Sequence, residues 1–271
     1  MHPKTDRSIA NGLLQPDEPP AVEIVNPASN ATALFICDHA SRRLPRSLGS
    51  LGLTPAQLES HIGWDIGAAD LARRVAARLS ATLVLSGYSR LAIDCNRPLA
   101  APGSIPAESA GTPIPGNAAL TPADITARRR VFFEPYHQAI ADLLDRRRAA
   151  GSPTALFSIH SFTPDYPGEI RPWHVDFAYN RDRRLAGLLL DAIDRHGLVV
   201  GDNQPYKVED DDDCSIPQHG ERRGIPHVLI EIRQDMLSDE TGIAAWADRL
   251  TELIVRLGPQ IDRIARETMS A

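Results

Sequence analysis

An α/β fold of three layers, α/β/α, on a mostly parallel mixed sheet is predicted by two features of this 271-residue sequence. Short apolar runs such as Ala33–Cys37, Thr82–Ser86 and residues 154–159 have the length and bulk of strands buried on both faces. Between them lie stretches whose apolar residues recur at spacings of three and four, as amphipathic helices require. Strands that alternate with helices build parallel sheets covered on both sides, because each crossover packs back onto the sheet.

The elements follow in order. Residues 1–30, with Pro3, Pro16, Pro19, Pro20 and Pro27, read as a loosely ordered lead-in to a single α/β domain over 31–271. Thr54-Pro55-Ala56-Gln57 has the cap, first-turn proline and N3 glutamine of a helix start, predicting a helix to about residue 61. Ala68, Leu71, Ala72, Val75, Ala76 and Leu79 predict a second over 64–80, with Asp65 in its first turn, where the helix dipole favours an anion. Strands are expected at 82–86 and, shorter, at 91–94. Residues 98–122 are rich in Gly, Pro, Ala and Ser without periodicity and read as a long irregular insertion, of the kind that forms a mobile lid. Thr121-Pro122 opens a long helix carrying Phe132, Tyr136, Ile140 and Leu143 on one face, kinked at Pro135. Beyond it come a strand at 173–179, a helix marked by Leu185, Leu188, Leu189, Ala192 and Ile193 and closed by Gly197, and a strand at 198–200. Residues 227–232 are a continuous apolar strand interrupted by Glu231. A terminal helix carries Ile243, Trp246, Leu250, Leu253, Ile254, Leu257 and Ile261.

Composition excludes several classes. The hydrophobic fraction of 42% and charged fraction of 24% are those of an ordinary globular protein. No apolar stretch approaches the roughly 18 residues of a membrane span, and the amino-terminal residues lack the pattern of a secretory signal. A net charge of −6 gives no electrostatic reason to expect nucleic acid or an anionic membrane as partner. Cys37, Cys95 and Cys214 are odd in number and widely spaced, against a disulfide framework or a thiolate zinc cluster, so a reducing cytoplasm is expected. The acidic run 209–213 lacks the Gly and terminal Glu spacing of a calcium loop and reads as a solvated loop. No GxSxG elbow, P-loop or GxGxxG is present.

What remains is chemistry at strand ends. His39 and His160 each follow a short apolar run, in ALFICDHAS and TALFSIHSF, and so emerge at the carboxyl edge of the sheet, where open α/β sheets bind ligands. A catalytic zinc commonly takes three N or O ligands and leaves the fourth position to water, and His39, Asp65 and His160 could supply them. Asp38 competes with Asp65 for the third place, its other role being to orient a ligand as an outer acceptor. Glu231, in PHVLIEIR, must be paired or functional. It is either an ion-pair partner of Arg233 on the same strand face or a general base. Arg90, Asn96 and Arg97 suggest a carboxylate receptor, since guanidinium groups bind carboxylates through paired bonds, with Asp94 holding one arginine; the alternative is a surface salt-bridge network.

Together the segments CDHAS, HIGWDIGA, SRLAIDCNRP, FSIHSF, VVGDNQPY and HGERRGIPHVLIEIRQD resemble the N-formylglutamate amidohydrolase family, over about residues 32–257. The resemblance implies a zinc-exopeptidase-like fold and a deformylating hydrolase that cleaves the linear amide of an N-acyl acidic amino acid, N-formyl-L-glutamate, to formate and L-glutamate. It further implies His39, Asp65 and His160 as ligands of one divalent metal ion, zinc, with Glu231 as catalytic carboxylate and Arg90, Asn96 and Arg97 on the substrate carboxylates. Asn203, Tyr206 and His219 lie in matching segments without an assigned role. The runners-up are a hydrolase of another N-acyl amino acid or short peptide, and a carboxylate-binding protein without turnover.

Overall fold

The computed structural model describes residues 12–166 and 168–269. The main strands are β1 (Val22–Val25), β2 (Ala33–Cys37), β3 (Thr82–Ser86), β6 (Ala155–Phe162), β9 (Val175–Ala178), β10 (Val200–Asp202) and β11 (His227–Arg233). Two small hairpins supply β4 (Glu108–Ser109) with β5 (Thr112–Pro113), and β7 (Asp165–Tyr166) with β8 (Glu169–Ile170). The seven main strands form one sheet in the order β1-β3-β2-β6-β11-β9-β10. β2 runs parallel to β3 and β6, β6 to β11, and β9 to β10; β1–β3 and β9–β11 are antiparallel. The carboxyl ends of β2, β6 and β11 therefore open on one edge.

The helices are α1 (Pro55–Glu59), α2 (Ala68–Arg78), α3 (Pro122–Arg128), α4 (Glu134–Ala149), α5 (Arg184–Ala192), α6 (Glu240–Arg256) and α7 (Gly258–Met269). Alternation along the strands sends side chains to two faces. Phe35, Phe157, Phe177 and Ile230 pack with residues of α2, α5, α6 and α7, and the two phenyl rings of Phe35 and Phe157 stack at 5.1 Å. Leu34, Ile36, Leu156 and Leu229 pack instead under Tyr136, Ile140, Leu143 and Leu144 of α4. This is the three-layer arrangement, with one face covered by a single long helix.

Several boundaries differ from the sequence pattern. Within the expected lead-in, residues 1–11 lie outside the described residues, and Val22–Val25 forms the edge strand β1, whose half-exposed side chains give no buried-strand signature. The helix expected over 64–80 starts at Ala68, because Gly67 turns the backbone at φ +77°. Asp65 therefore stands ahead of the helix rather than in its first turn, and its N–H donates to the His39 carbonyl at 3.0 Å. Residues 91–94 are not a strand; the Ala92 N–H closes a turn on Ser89 and the Asp94 N–H donates to Ser104, so no ladder partner is needed. The long helix is divided by a π-helical turn at Arg129–Phe133, just before Pro135, which has no N–H for the carbonyl four residues back. α5 ends at Ala192 with Gly197 in the turn beyond, and the terminal helix is two helices meeting at Leu257. The capping boxes at Thr54/Gln57 and Thr121/Asp124 are both formed.

Gly67 sets where Asp65 ends up. A Cβ there would lie 2.4 Å from Leu237 Cβ and 2.6 Å from its carbonyl oxygen, on a backbone that L side chains rarely adopt. Gly67→Ala is expected to lower the unfolding free energy by at least about 2 kcal/mol, checked by urea denaturation.

Candidate active site

Register builds the site across three strands. His160 on β6 pairs with Glu231 on β11, and Glu231 with Asp176 on β9, so three ionisable side chains share the face covered by α4. His39 follows β2 directly, in the neighbouring position. The loop after β3 brings Arg90 and Asp94 to the same edge: Ser89 Oγ donates to Gly63 O at 2.6 Å, and the Asn96 N–H donates to Asp94 Oδ1 at 2.8 Å.

His39, Asp65 and His160 are buried, and one ligand atom from each lies within 4.8 Å of the others. This cluster could bind a metal. His39 Nε2 bonds Asp94 Oδ1 at 2.7 Å, while its Nδ1 has no hydrogen-bond partner and stands 3.3 Å from Asp65 Oδ1. His160 repeats the pattern, with Nε2 at 3.0 Å from Asp38 Oδ2 and Nδ1 at 2.8 Å from Asp65 Oδ2. A carboxylate at each Nε2 holds a proton there, and both rings turn Nδ1 towards Asp65; without a metal the His160 Nδ1 donates to Asp65, and loss of that proton would free the nitrogen for a metal. Asp38, the competing acid, lies on the far side of His160 and accepts further bonds from Ser158 and Ser215. Asp94, read as an arginine's partner, holds both Arg90 and His39.

Charge explains why the cluster suits a cation. With neutral imidazoles, Asp38, Asp65 and Asp94 face one guanidinium, Arg90, and two negative charges remain uncompensated in a buried place. Two imidazolium protons or one divalent cation would neutralise them. Without a metal the protons do so. Burial by itself would lower the His160 pKa, but hydrogen bonds to Asp38 and Asp65 lift it well above the usual value; for Asp65, burial is outweighed by the charge of His39 and the bond to His160, which hold its carboxyl low.

Glu231 is 8% exposed, and its Oε2 has no hydrogen-bond partner. The ion pair with Arg233 is not formed: Arg233 binds Asp235 at 2.8 Å. Burial pushes the Glu231 carboxyl up to about 8, against the charge of His160 and with the help of Asp65 and Asp176.

These groups open on a cavity of about 370 Å³. Arg90, Asn96 and Arg97 all reach its wall, but with different freedom. Arg90 binds Asp94 and stands 3.8 Å from Asp65; Arg97 is paired with Asp212; the Asn96 amide binds Asp213 and the N–H groups of Cys214 and Ser215, and so organises a loop. The acidic run read as solvated is so only in part, since Asp212 and Asp213 line the cavity. Ser109 and Ala110 bring the 98–122 insertion to the rim. His61, Arg171 and Tyr206 also line it, and neither His61 nor Arg171 carried any periodic or spacing signal. Asn203 accepts from the Tyr179 N–H, a loop-structuring bond. His219 is buried against His137, 2.9 Å between ring nitrogens.

A family model described as N-formylglutamate amidohydrolase matches residues 31–238. The chain belongs to this family. Membership makes it a hydrolase of the deformylase type, acting on a linear amide C–N bond. A solved gene product from Agrobacterium tumefaciens is 36% identical, with a TM-score of 0.88 over 92% of this chain and 99% of that one. N-formylglutamate amidohydrolase from Ralstonia eutropha JMP134 shares the fold at 20% identity and TM-score 0.67, over 90% of this chain and 98% of its own. No match is found among curated proteins. No helix among the described residues is long and apolar enough to cross a membrane.

The His219 environment yields a pH test. Burial and the charges of His137 and Arg223 push its pKa down to about 3. As pH falls below about 6.5 the unfolded chain takes up a proton that the folded protein refuses, so stability present above that pH is lost on the way down to about 3. His219→Gln lacks this linkage. Urea unfolding at pH 7 and pH 5 is expected to show the wild type losing about 2 kcal/mol more than the variant over that interval.

Proposed function

We propose that the chain hydrolyses N-formyl-L-glutamate to formate and L-glutamate with one divalent ion, zinc by preference, held by His39, Asp65 and His160. The reading rests chiefly on two imidazoles whose Nε2 protons are taken by Asp94 and Asp38 and whose Nδ1 atoms converge on Asp65. Two nitrogens and a carboxylate suit zinc and leave room for a fourth ligand. When bound, the metal would polarise the formyl oxygen and acidify a water. Glu231, beside His160 in register, takes a proton of the attacking water and delivers it to the amide nitrogen as the C–N bond breaks, which gives formic acid and a neutral amine; the acid's remaining proton then passes to the amine, leaving formate and the ammonium form of glutamate. A carboxyl pushed up to about 8 by burial has the proton affinity such a shuttle needs, and the same pull weakens once a cation sits beside it.

Arg90, next to Asp65, is placed for the carboxylate nearest the scissile amide or for the developing oxyanion. Arg97 and Asn96, held by their loop contacts, line the same cavity and extend its polar wall. The family's name and that of the Ralstonia eutropha structure support formyl as the acyl group and glutamate as the amine. The free cysteines Cys37, Cys95 and Cys214 fit a reducing cytoplasm.

Purified protein is expected to carry close to one zinc per chain, to lose formate release on chelation and to regain it on adding zinc, in an assay that compares formyl-, acetyl- and peptidyl-glutamate. No formate release at any metal loading would overturn the reading. Glu231→Gln should keep its metal and lose kcat by at least about 100-fold; full retained activity would remove Glu231 from the mechanism.

A further inference from the structure

Arg171 is a buried cation on the cavity wall that the chemistry above does not use. Its side chain is 4% exposed, although it lies in the loop between β8 and β9. Its Nε and Nη2 donate to Glu169 Oε2 at 2.9 and 2.8 Å, and its Nη1 donates to the Tyr206 hydroxyl. The guanidinium lies over two aromatic rings, 4.3 Å from the centroid of Tyr166 and 4.9 Å from that of Tyr206. A guanidinium has five N–H groups, and these three bonds leave one on each terminal nitrogen. An arginine fixed on two aromatic faces with donors unspent has already lost the rotamer freedom that binding would otherwise cost.

Tyr206 adds a second donor. Its hydroxyl accepts from Arg171, and burial pushes its pKa up to about 12, with the charge of Glu231 in the same direction, so its own proton remains available. Arg90 by contrast stands 3.8 Å from Asp65 and serves the end of the substrate at the amide. Glu169, Tyr166 and Tyr206, the partners of Arg171, all lie outside the His39, Asp65 and His160 cluster. We infer that Arg171, with the Tyr206 hydroxyl beside it, receives the side-chain carboxylate of an acidic N-acyl amino acid and so sets the preference for an acidic residue. This rests on the substrate class proposed above and adds the residue that selects it.

The test compares N-formyl-L-glutamate with N-formyl-L-glutamine, which differ only by that carboxylate, in the zinc-loaded wild type, Arg171→Gln and Arg171→Lys. The wild type should prefer the glutamate substrate. In R171Q, kcat/KM for formylglutamate is expected to fall on the order of 100-fold, mainly through KM, while that for formylglutamine falls far less, so the preference collapses. R171K keeps the charge without the planar fork and should regain part of the preference, which a general folding defect would not allow. Equal losses on both substrates in both variants, or an undiminished preference in R171Q, would overturn the assignment while leaving the hydrolase reading intact. A wild type that hydrolyses neither substrate would overturn that reading, and the assignment with it.

Discussion

The site depends on a balance of buried charge. Asp38, Asp65 and Asp94 are removed from water at the edge of the sheet, and such groups persist only where positive charge or donors meet them. Arg90, two imidazoles and the hydroxyls of Ser158 and Ser215 do so, and their geometry fixes the elements that carry them. The end of β2 is tied to the approach to α2 by the Asp65 N–H on His39 O; β6 is tied there by Ser161, whose N–H reaches Asp65 and whose hydroxyl reaches Ile66 O. The bonds that orient the candidate ligands are thus the bonds that join β2, β6 and the β3 loop, and neither set can shift without the other.

The cavity arises from the unequal cover on the two faces of the sheet. One face lies under α2, α5, α6 and α7; the other has α4 as its long helix, leaving the ends of β6 and β11 open beyond Leu156 and Leu229. Buried polar atoms without partners gather around that gap: His39 Nδ1, Glu231 Oε2 and, on the adjoining strand, Asp176 Oδ2. An unpartnered buried polar atom costs about 1–3 kcal/mol, which the apolar core on the opposite face offsets and which ligand binding can relieve. Asp176 is accommodated because Gly201 across from it has no Cβ, which would stand 2.7 Å from Asp176 Oδ1.

The fold class and the identity of most ionisable groups at the sheet edge are legible in the residue pattern. Runs such as Ala33–Cys37 are too apolar to be anything but buried, and a strand that ends in His or contains Glu must deliver it to a fixed place. Helix starts with strong local chemistry, Thr54 and Thr121, were readable for the same reason: the capping bonds span three residues. The interruption near Pro135 was readable too, since a proline removes a local N–H; the edge strand β1 and the break at Gly67 were not, because each answers to packing contacts rather than to a local pattern.

How those groups divide their work depends on contacts between distant parts of the chain. Asp38 and Asp65 are chemically alike, and which one faces both Nδ1 atoms depends on the paths of β2 and of the segment before α2, set by contacts 95 and 122 residues apart. Asn96 is spent on a loop, Asp94 is shared between Arg90 and His39, and Arg171 reaches the cavity from a loop with no pattern of its own. A hydrogen bond is specified by a few tenths of an ångström and a direction, and residue spacing along a chain carries neither until the strands are in register.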